Sequence, residues 1–249
     1  LRYALPLLPN LVGVWALDRI DRFVIGHHLR AAGVGVYAAN YALGAMVVML
    51  QAPLQVTLLP RLAVLWDTDR ASAQRYVDVS CGVYLTLAIP FLACLPIVAP
   101  AVLRVLGNAE IAAGAGLNTA LITGGVLLWG VSMIQVQIFH GARKTQLIGV
   151  VTVASAAVNL ALNLVLVPMM GVAGAALSTF ISVIVGSVWM VTYFRAKDGF
   201  LHFSASHWAP KFGLWGRMLK IGLPAGAEFA LLSVYLFLLY SVSRPCGST

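Results

Sequence analysis

The sequence contains few charged residues and even fewer acidic ones. Only 10% of its 249 residues are Asp, Glu, Lys or Arg, and eight residues are acidic. Soluble globular domains carry about 25% charged residues, so this composition excludes an ordinary soluble domain. Hydrophobic residues make up 61% of the chain, and its mean hydropathy is +0.92. Apolar stretches of about 20 residues recur along the chain, whereas the alternating ~10-residue segments of a membrane barrel do not. The sequence therefore predicts an all-α polytopic membrane protein.

Motifs for catalysis, metal binding and nucleotide binding are also scarce. The three cysteines, Cys81, Cys94 and Cys246, have no metal-ligand or redox spacing. The chain has no Walker A loop and no Gly-x-Ser-x-Gly elbow. A membrane glycosyltransferase or polymerase needs a large loop with catalytic acids, yet the longest loop holds one acid, Asp198. We therefore expect a protein that is not an enzyme and has no cofactor, apart from H+ or Na+ coupling.

Seven apolar stretches predict seven spans of a lipid bilayer. They lie near residues 4–26, 35–59, 77–105, 115–139, 147–168, 172–194 and 219–243. The third span contains Pro90, Pro96 and Pro100, so we expect it to kink or to break into a helix and a short interfacial piece.

We attribute the net charge of +8 to basic loop residues that set the orientation of the spans, not to nucleic-acid binding. The basic residues lie in short loops, without the basic tracts and interleaved aromatics that bind nucleic acid. With alternating spans, eleven of the sixteen Lys and Arg residues fall on one side and three on the other, while Arg19 and Arg22 lie within the first span. Because cytoplasmic loops are enriched in Lys and Arg, the count predicts a cytoplasmic N-terminus.

The longest polar connection separates the sixth predicted span from the seventh. The first and seventh spans begin alike, with "LRYALP" at residue 1 and "LKIGLP" at residue 219. Transporters are often built from such repeats. The sequence thus predicts a six-helix lobe at 1–194, a cytoplasmic linker at 195–218 and the first helix of a second lobe at 219–249. Since the sequence starts with Leu1 and stops at "SRPCGST", we expect a fragment whose partner is the missing second lobe.

The first span carries four charges in the stretch "DRIDR": Asp18, Arg19, Asp21 and Arg22. A charge at mid-bilayer costs about 2.5–3.5 kcal/mol, so four unpaired charges would cost roughly 10 kcal/mol. Asp18 and Arg22 are four residues apart on a helix and can pair. Two interpretations stay open: a self-neutralising group near the outer headgroups, or side chains that face a water-filled cavity. Glu228, the lone acid of the seventh span, is an ion-coupling candidate unless cytoplasmic water reaches it.

Uncharged polar residues recur in other spans. The second span holds Asn40, Gln51 and Gln55, whose spacing places them on one helix face, and the fifth holds Asn159 and Asn163 one turn apart. Interhelical hydrogen bonds are worth about 0.6 kcal/mol each in a membrane. A sugar-lined cavity needs the same residue types, so both interpretations stay open.

Three segments carry a resemblance to known transporters. Residues 20–60, "IDRFVIGHHLRAAGVGVYAANYALGAMVVMLQAPLQVTLLP", and residues 158–182, "VNLALNLVLVPMMGVAGAALSTFIS", resemble polysaccharide flippases of the MOP exporter superfamily. Residues 215–244 look more like a lobe opening in the multidrug and toxin extrusion (MATE) branch. Either the two branches share these features here, or the chain joins pieces of two proteins.

The resemblance implies a transporter that works by alternating access. A flippase would move lipid-linked oligosaccharide across the bacterial inner membrane, with Arg19 and Arg22 binding its phosphates and Asp18 or Asp21 taking a proton or sodium ion. The polar residues of the second and fifth spans would then contact the sugar. The alternative is a cation-coupled MATE-type exporter of cationic small molecules. A non-transporting scaffold has little support, because the cytoplasmic loops are short.

Overall fold

A computed structural model describes residues 8–198 of the chain. The chain divides into two units, residues 1–209 and 210–249, and all described residues lie in the first. The elements are α1 (Leu8–Gly44), a 3₁₀ helix (Ala45–Leu50), α2 (Gln51–Thr68), α3 (Arg70–Leu106), α4 (Ala109–Ala112), α5 (Ala115–Gly141), α6 (Thr145–Met170) and α7 (Val172–Asp198). The predicted seventh span and Glu228 lie outside the described residues, and the boundaries at 194 and 218 stay predictions.

Five helical stretches among the described residues are long and apolar enough to cross a membrane. The first contains 59 residues, Asn10–Thr68. At ~1.5 Å per residue it would be roughly 88 Å long if straight, about three times the ~30 Å hydrocarbon core. This stretch therefore must fold back. The all-α, multi-pass membrane architecture predicted from composition is confirmed.

The fold-back of the first stretch occurs at Arg30. Its backbone leaves the helical region (φ 59°, ψ −166°) and divides α1 into two legs, residues 8–29 and 31–44. A hydrogen bond of 2.6 Å joins Asp21 in the first leg to Tyr37 in the second. Sixteen residues of uninterrupted helix would separate them by about 24 Å, so α1 is a helical hairpin. The second leg continues through the 3₁₀ helix into α2, so the folded first stretch is long enough for two crossings and α3, α5, α6 and α7 for one each, in agreement with six predicted spans.

The helix α3 runs without interruption through Pro90, Pro96 and Pro100 and ends at Leu106. A break within this span is therefore wrong, and a kink at these prolines stays a prediction. A proline removes one backbone hydrogen bond, and neighbouring helices in a membrane protein satisfy the freed carbonyl groups. The start of α3 is fixed by Asp69, whose carboxylate accepts hydrogen bonds from the backbone N–H groups of the first turn.

The helix α5 lies at the centre of the bundle. Of its 18 most apolar consecutive residues 67% are buried, whereas the corresponding buried share is 17–44% in the other four stretches. The pair α6 and α7 is joined by a tight turn at Gly171, whose positive φ of 62° suits a residue without a Cβ atom. Three residues later, a Cβ atom on Gly174 would collide with the carbonyl oxygen of Leu166. The small residues of "GVAGAALS" (171–178) thus permit close contact between α6 and α7.

Apolar side chains cover much of the surface of the described bundle as well as forming most of its core. Large apolar side chains are exposed on the helix surfaces, among them Val56, Ile97, Val105 and Met169. Polar side chains lie inside, including Asp21, Asn40, Asn159 and Asn163, each at most 2% exposed. An apolar exterior suits a lipid surrounding. The polar interior contains the candidate site.

Candidate ion and substrate site

A buried carboxylate forms the centre of the candidate site. Asp21, in the first leg of α1, accepts hydrogen bonds from three side chains on three other segments. The Tyr37 hydroxyl lies 2.6 Å from Oδ2, the Thr179 hydroxyl 2.8 Å from Oδ2, and the Asn163 amide nitrogen 2.7 Å from Oδ1. Among the described residues no Lys or Arg forms an ion pair with Asp21. Its charge is therefore balanced by dipoles rather than by a cation.

Two asparagines of α6 extend this cluster. The Nδ2 atom of Asn163 also lies 3.0 Å from the carbonyl oxygen and 3.1 Å from Oδ1 of Asn159. The Nδ2 atom of Asn159 in turn donates a hydrogen bond of 3.2 Å to the hydroxyl oxygen of Thr179. The Oδ1 atom of Asn163 is buried and has no hydrogen-bond partner. A carboxylate beside a free amide oxygen in a buried position offers the oxygen ligands that hard cations prefer. It also offers a proton acceptor.

A cavity of about 270 Å³ adjoins the cluster. Most of its wall is apolar, and its polar and aromatic lining consists of Asp18, Tyr37, Tyr41, Trp129 and Thr179. Two of these residues, Tyr37 and Thr179, also donate their hydroxyl hydrogen bonds to Asp21. The buried carboxylate therefore lies directly behind the cavity wall, one hydrogen bond away from it.

The remaining charges of "DRIDR" form a cluster at the cavity. Asp18 lies 3.1 Å from Arg19 and 3.7 Å from Arg22, which confirms the predicted pairing of Asp18 with Arg22. The guanidinium of Arg22 also donates to the Asp18 carbonyl over 2.6 Å and lies 5.2 Å from the centre of the Tyr41 ring. Asp18 lines the cavity, whereas neither arginine is among the described residues that do so. The role of the arginines in binding phosphate stays a prediction.

The predicted polar face of the second span contacts α5 instead of the Asp21 cluster. Asn40 accepts a hydrogen bond of 3.2 Å from Thr119, and Gln51 lies 3.5 Å from the carbonyl oxygen of Val126. Thr119 and Val126 are seven residues apart and so share one face of α5. Gln55 is half-buried beside Gln51. These contacts fit interhelical hydrogen bonding, and a role of the three residues in sugar binding stays a prediction.

Sequence reasoning missed the hydroxyl groups that complete the site. Tyr37 and Thr179 lie in segments that carry the family resemblance, but nothing in the local sequence distinguishes either of them as a site residue. They are 16 and 158 residues from Asp21, so no helical spacing connects them to it. The one available signal is chemical: a carboxylate inside a membrane needs donors, and hydroxyl-bearing residues in apolar helices supply them.

Comparison with known proteins gives one curated relative with a distant match. No family model matches the sequence. The probable flippase AglR of Haloferax volcanii is 26% identical over 179 residues, which cover 69% of this chain and 37% of that protein.

Solved structures of transporters match the fold over almost the whole chain. A MOP superfamily transporter from Pyrococcus furiosus has a TM-score of 0.69 at 20% identity, covering 97% of this chain and 54% of that one. An outward-facing multidrug resistance MATE family transporter has a TM-score of 0.71 at 20% identity, with 99% and 55% covered. MATE in complex with MaD3S reaches 0.73 at 19% identity, with 99% and 56% covered. This chain therefore spans about half the length of these structures, and the predicted resemblance is confirmed.

Proposed function

We propose, from its fold of a MOP-superfamily membrane transporter, that this chain is one lobe of a transporter for lipid-linked oligosaccharide. Its curated relative is a probable flippase, and the chain covers about half of each similar structure. The observation that carries the proposal is the buried carboxylate of Asp21, bonded to two residues that line the adjoining cavity. Such an arrangement serves transport rather than catalysis. The expected membrane is the inner membrane of a bacterium, with the N-terminus in the cytoplasm.

In this proposal Asp21 is the ion-coupling residue, for H+ or Na+. Its Oδ2 atom accepts both the Tyr37 and the Thr179 hydroxyl. A protonated carboxyl oxygen donates one hydrogen bond and keeps only part of its acceptor capacity, so a proton on Oδ2 reverses the hydrogen bond with one of these hydroxyls and reorients that hydroxyl. Because both residues line the cavity, loading the carboxylate changes the cavity wall. In this way, ion binding at Asp21 would change the binding of substrate in the cavity.

The substrate's phosphates are assigned to Arg19 and Arg22. A guanidinium binds phosphate with two parallel hydrogen bonds, and the side chains of Arg19 and Arg22 are 55% and 28% exposed. Binding of a pyrophosphate would release them from Asp18. Glu228 stays a second ion-coupling prediction, outside the described residues.

A cation-coupled exporter is the second candidate function, and the lining of the cavity favours it. The cavity presents the carboxylate of Asp18 and the rings of Tyr37, Tyr41 and Trp129. Aromatic faces beside a carboxylate attract organic cations. The oligosaccharide proposal instead needs the two arginines to turn toward the cavity.

The two functions are separated by one reconstitution of the full-length protein. Proteoliposomes receive either a fluorescent lipid-linked oligosaccharide or a cationic dye, under an imposed H+ or Na+ gradient. We expect gradient-dependent flipping of the oligosaccharide, which Arg19→Gln with Arg22→Gln abolishes while membrane insertion is unchanged. Dye export without flipping would support the second candidate. Flipping by the double variant at the normal rate would show that Arg19 and Arg22 are not required for transport.

A further inference from the structure

Termini of five helices meet at one end of the described bundle: the C-termini of α2, α5 and α7 and the N-termini of α3 and α6. Arg143, in the turn between α5 and α6, forms an exposed ion pair of 3.1 Å with Asp67 near the end of α2. The ring of Trp66 in α2 contacts that of Phe194 near the end of α7, with 6.3 Å between centroids. These contacts place the three chain segments on one surface, where the spans leave the membrane.

Aromatic side chains form a connected cluster at this surface, here called the aromatic rim. It consists of Trp66, Phe139, Trp189, Tyr193 and Phe194, whose neighbouring ring centroids are 4.4–6.3 Å apart. Trp189 is 38% exposed and stacks on Tyr193 with an interplanar angle of 18°. Trp and Tyr are enriched where a protein crosses the headgroup region of a bilayer. Phe139, Phe194 and Trp66 are buried and hold the cluster in the bundle, whereas Trp189 and Tyr193 at its exposed edge fit the membrane–water boundary.

Two cations are held against the aromatic rim. The guanidinium carbon of Arg70 lies 3.8 Å from the centre of a Trp66 ring, and the Arg70 Nε–H donates to the Trp66 carbonyl over 2.8 Å. The ammonium of Lys144 lies 5.3 Å from the centre of the Tyr193 ring. Contact with an aromatic face holds a cation in place. Both charges thus sit at fixed positions at the level of the lipid headgroups.

Neither of two nearby acids, Asp67 and Asp69, neutralises Arg70. Asp67 pairs with Arg143. Asp69 caps α3, accepting hydrogen bonds from the backbone of Ala71 and from Ser72. Among the described residues, the guanidinium of Arg70 makes no ion pair and no hydrogen bond other than the one from Nε. Its remaining N–H groups are free to bind an anion.

The adjoining surface of α7 is apolar and exposed. Ile184, Val185 and Val188 are 36%, 44% and 55% exposed and precede Trp189 along the helix. Apolar side chains at this depth require hydrocarbon around them. A phospholipid whose phosphate binds at the aromatic rim can therefore place its acyl chains against this apolar surface. A free phosphate ion makes no such contact.

We propose that Arg70 and Lys144 on the aromatic rim bind the phosphate of an anionic phospholipid, with its acyl chains along the exposed face of α7. The site is independent of the cavity beside Asp21 and of the transported substrate. A Lys or Arg near an anionic membrane surface contributes about 1 kcal/mol, which corresponds to roughly fivefold in affinity.

The test is native mass spectrometry of the full-length protein in a neutral detergent, titrated with phosphatidylglycerol or phosphatidylcholine. We expect a saturable preference for phosphatidylglycerol, weakened about fivefold by Arg70→Gln or Lys144→Gln and about 25-fold by both. Arg70→Lys, which keeps the charge, should retain most of the affinity. The matched control is Arg104→Gln, because Arg104 is exposed in the last turn of the same helix at the opposite end.

Three results would overturn the proposal. The first is equal retention of the two lipids, and the second is equal loss of affinity in Arg104→Gln and Arg70→Gln. The third is displacement of the bound lipid by millimolar inorganic phosphate, which would identify an anion site without lipid specificity. Each single variant is measured separately, so the test does not depend on the folding of the double variant.

Discussion

The hydroxyl of Tyr37 donates a hydrogen bond of 2.6 Å to Asp21, on the opposite side of the chain reversal at Arg30. The same carboxylate accepts hydrogen bonds from Asn163 of α6 and Thr179 of α7. One acidic side chain thus joins both legs of the α1 hairpin to two further helices. Any change in its protonation or ion binding acts on all four segments at once.

Replacing Asp21 by Asn should abolish ion-gradient-driven transport by the full-length protein. Asn keeps the size of the side chain and can still bond to Tyr37 and Thr179, but it cannot take up or release a proton and lacks the negative charge that binds a cation. Uptake of substrate into proteoliposomes, with and without the gradient, measures the effect. Asp67→Asn is the matched control, since Asp67 is 61% exposed, is paired with Arg143 and does not line the cavity. Unchanged gradient dependence in Asp21→Asn would refute the coupling role.

Replacing Tyr37 by Phe should lower the free energy of unfolding by about 1–3 kcal/mol, because the buried Asp21 carboxylate loses a donor. Tyr41→Phe is the control: its ring packs 5.8 Å from that of Tyr37, and no hydrogen bond of its hydroxyl is found within residues 8–198. Denaturant unfolding in micelles, followed by circular dichroism, compares the two variants. Equal losses for both tyrosines would show that the hydrogen bond to Asp21 contributes little to stability.

Replacing Gly174 by Ala should destabilise the lobe by about 1–3 kcal/mol, the usual cost of overpacking. The new Cβ atom would collide with the carbonyl oxygen of Leu166, so α6 and α7 must separate. At Gly35 in the second leg of α1, a Cβ atom would meet nothing within 4 Å. There Ala should instead stabilise the helix by about 0.4–1 kcal/mol. The two shifts in melting temperature should therefore have opposite signs, and shifts of the same sign would contradict the close contact between α6 and α7.

The cap of α3 gives a pH dependence with a defined sign. Hydrogen bonds from the Ser72 hydroxyl and backbone N–H lower the pKa of Asp69 below its ordinary value of 3.8. A lowered pKa means that the stabilisation is complete above pH 3.8 and is lost as the pH falls through the folded-state value. The difference in unfolding free energy between the native chain and Asp69→Ala should be constant at neutral pH and shrink in acid. The difference in unfolding free energy between Asp69→Asn, which caps without titrating, and Asp69→Ala should not decrease in acid.

The fold could be predicted from the sequence because a bilayer restricts the chain to helices whose lengths are known. Six spans between residues 4 and 194 follow from apolar runs alone, and five long helical stretches, the first of them folded back at Arg30, agree with that number. The behaviour of α3 at Pro90, Pro96 and Pro100 could not be predicted in the same way. Whether a proline interrupts a membrane helix depends on neighbouring helices, and these are not visible in the local sequence.

The site was predictable only in part. Asp21, Asn159 and Asn163 stand out because polar groups in apolar helices are costly, and these three residues do come together. The partners Tyr37 and Thr179 have polar groups too small to stand out, and their positions depend on the hairpin and on the packing of α7. The different surroundings of Asp18 and Asp21 could not be predicted either, since both lie in "DRIDR", about one helical turn apart. Asp21 is 2% exposed, whereas Asp18 lies at the cavity wall.

The position of Asp21 along α1 has an electrical consequence. It lies nine residues before the reversal at Arg30, about 14 Å along the helix, so with that reversal at the edge of the ~30 Å hydrocarbon core Asp21 would lie near the middle of the core. A charge that crosses the whole membrane gains about 2.3 kcal/mol per 100 mV. An ion that reaches Asp21 from either side crosses roughly half of that field, worth about 1.1 kcal/mol per 100 mV. The occupancy of this carboxylate should therefore respond to the membrane potential as well as to the ion concentration.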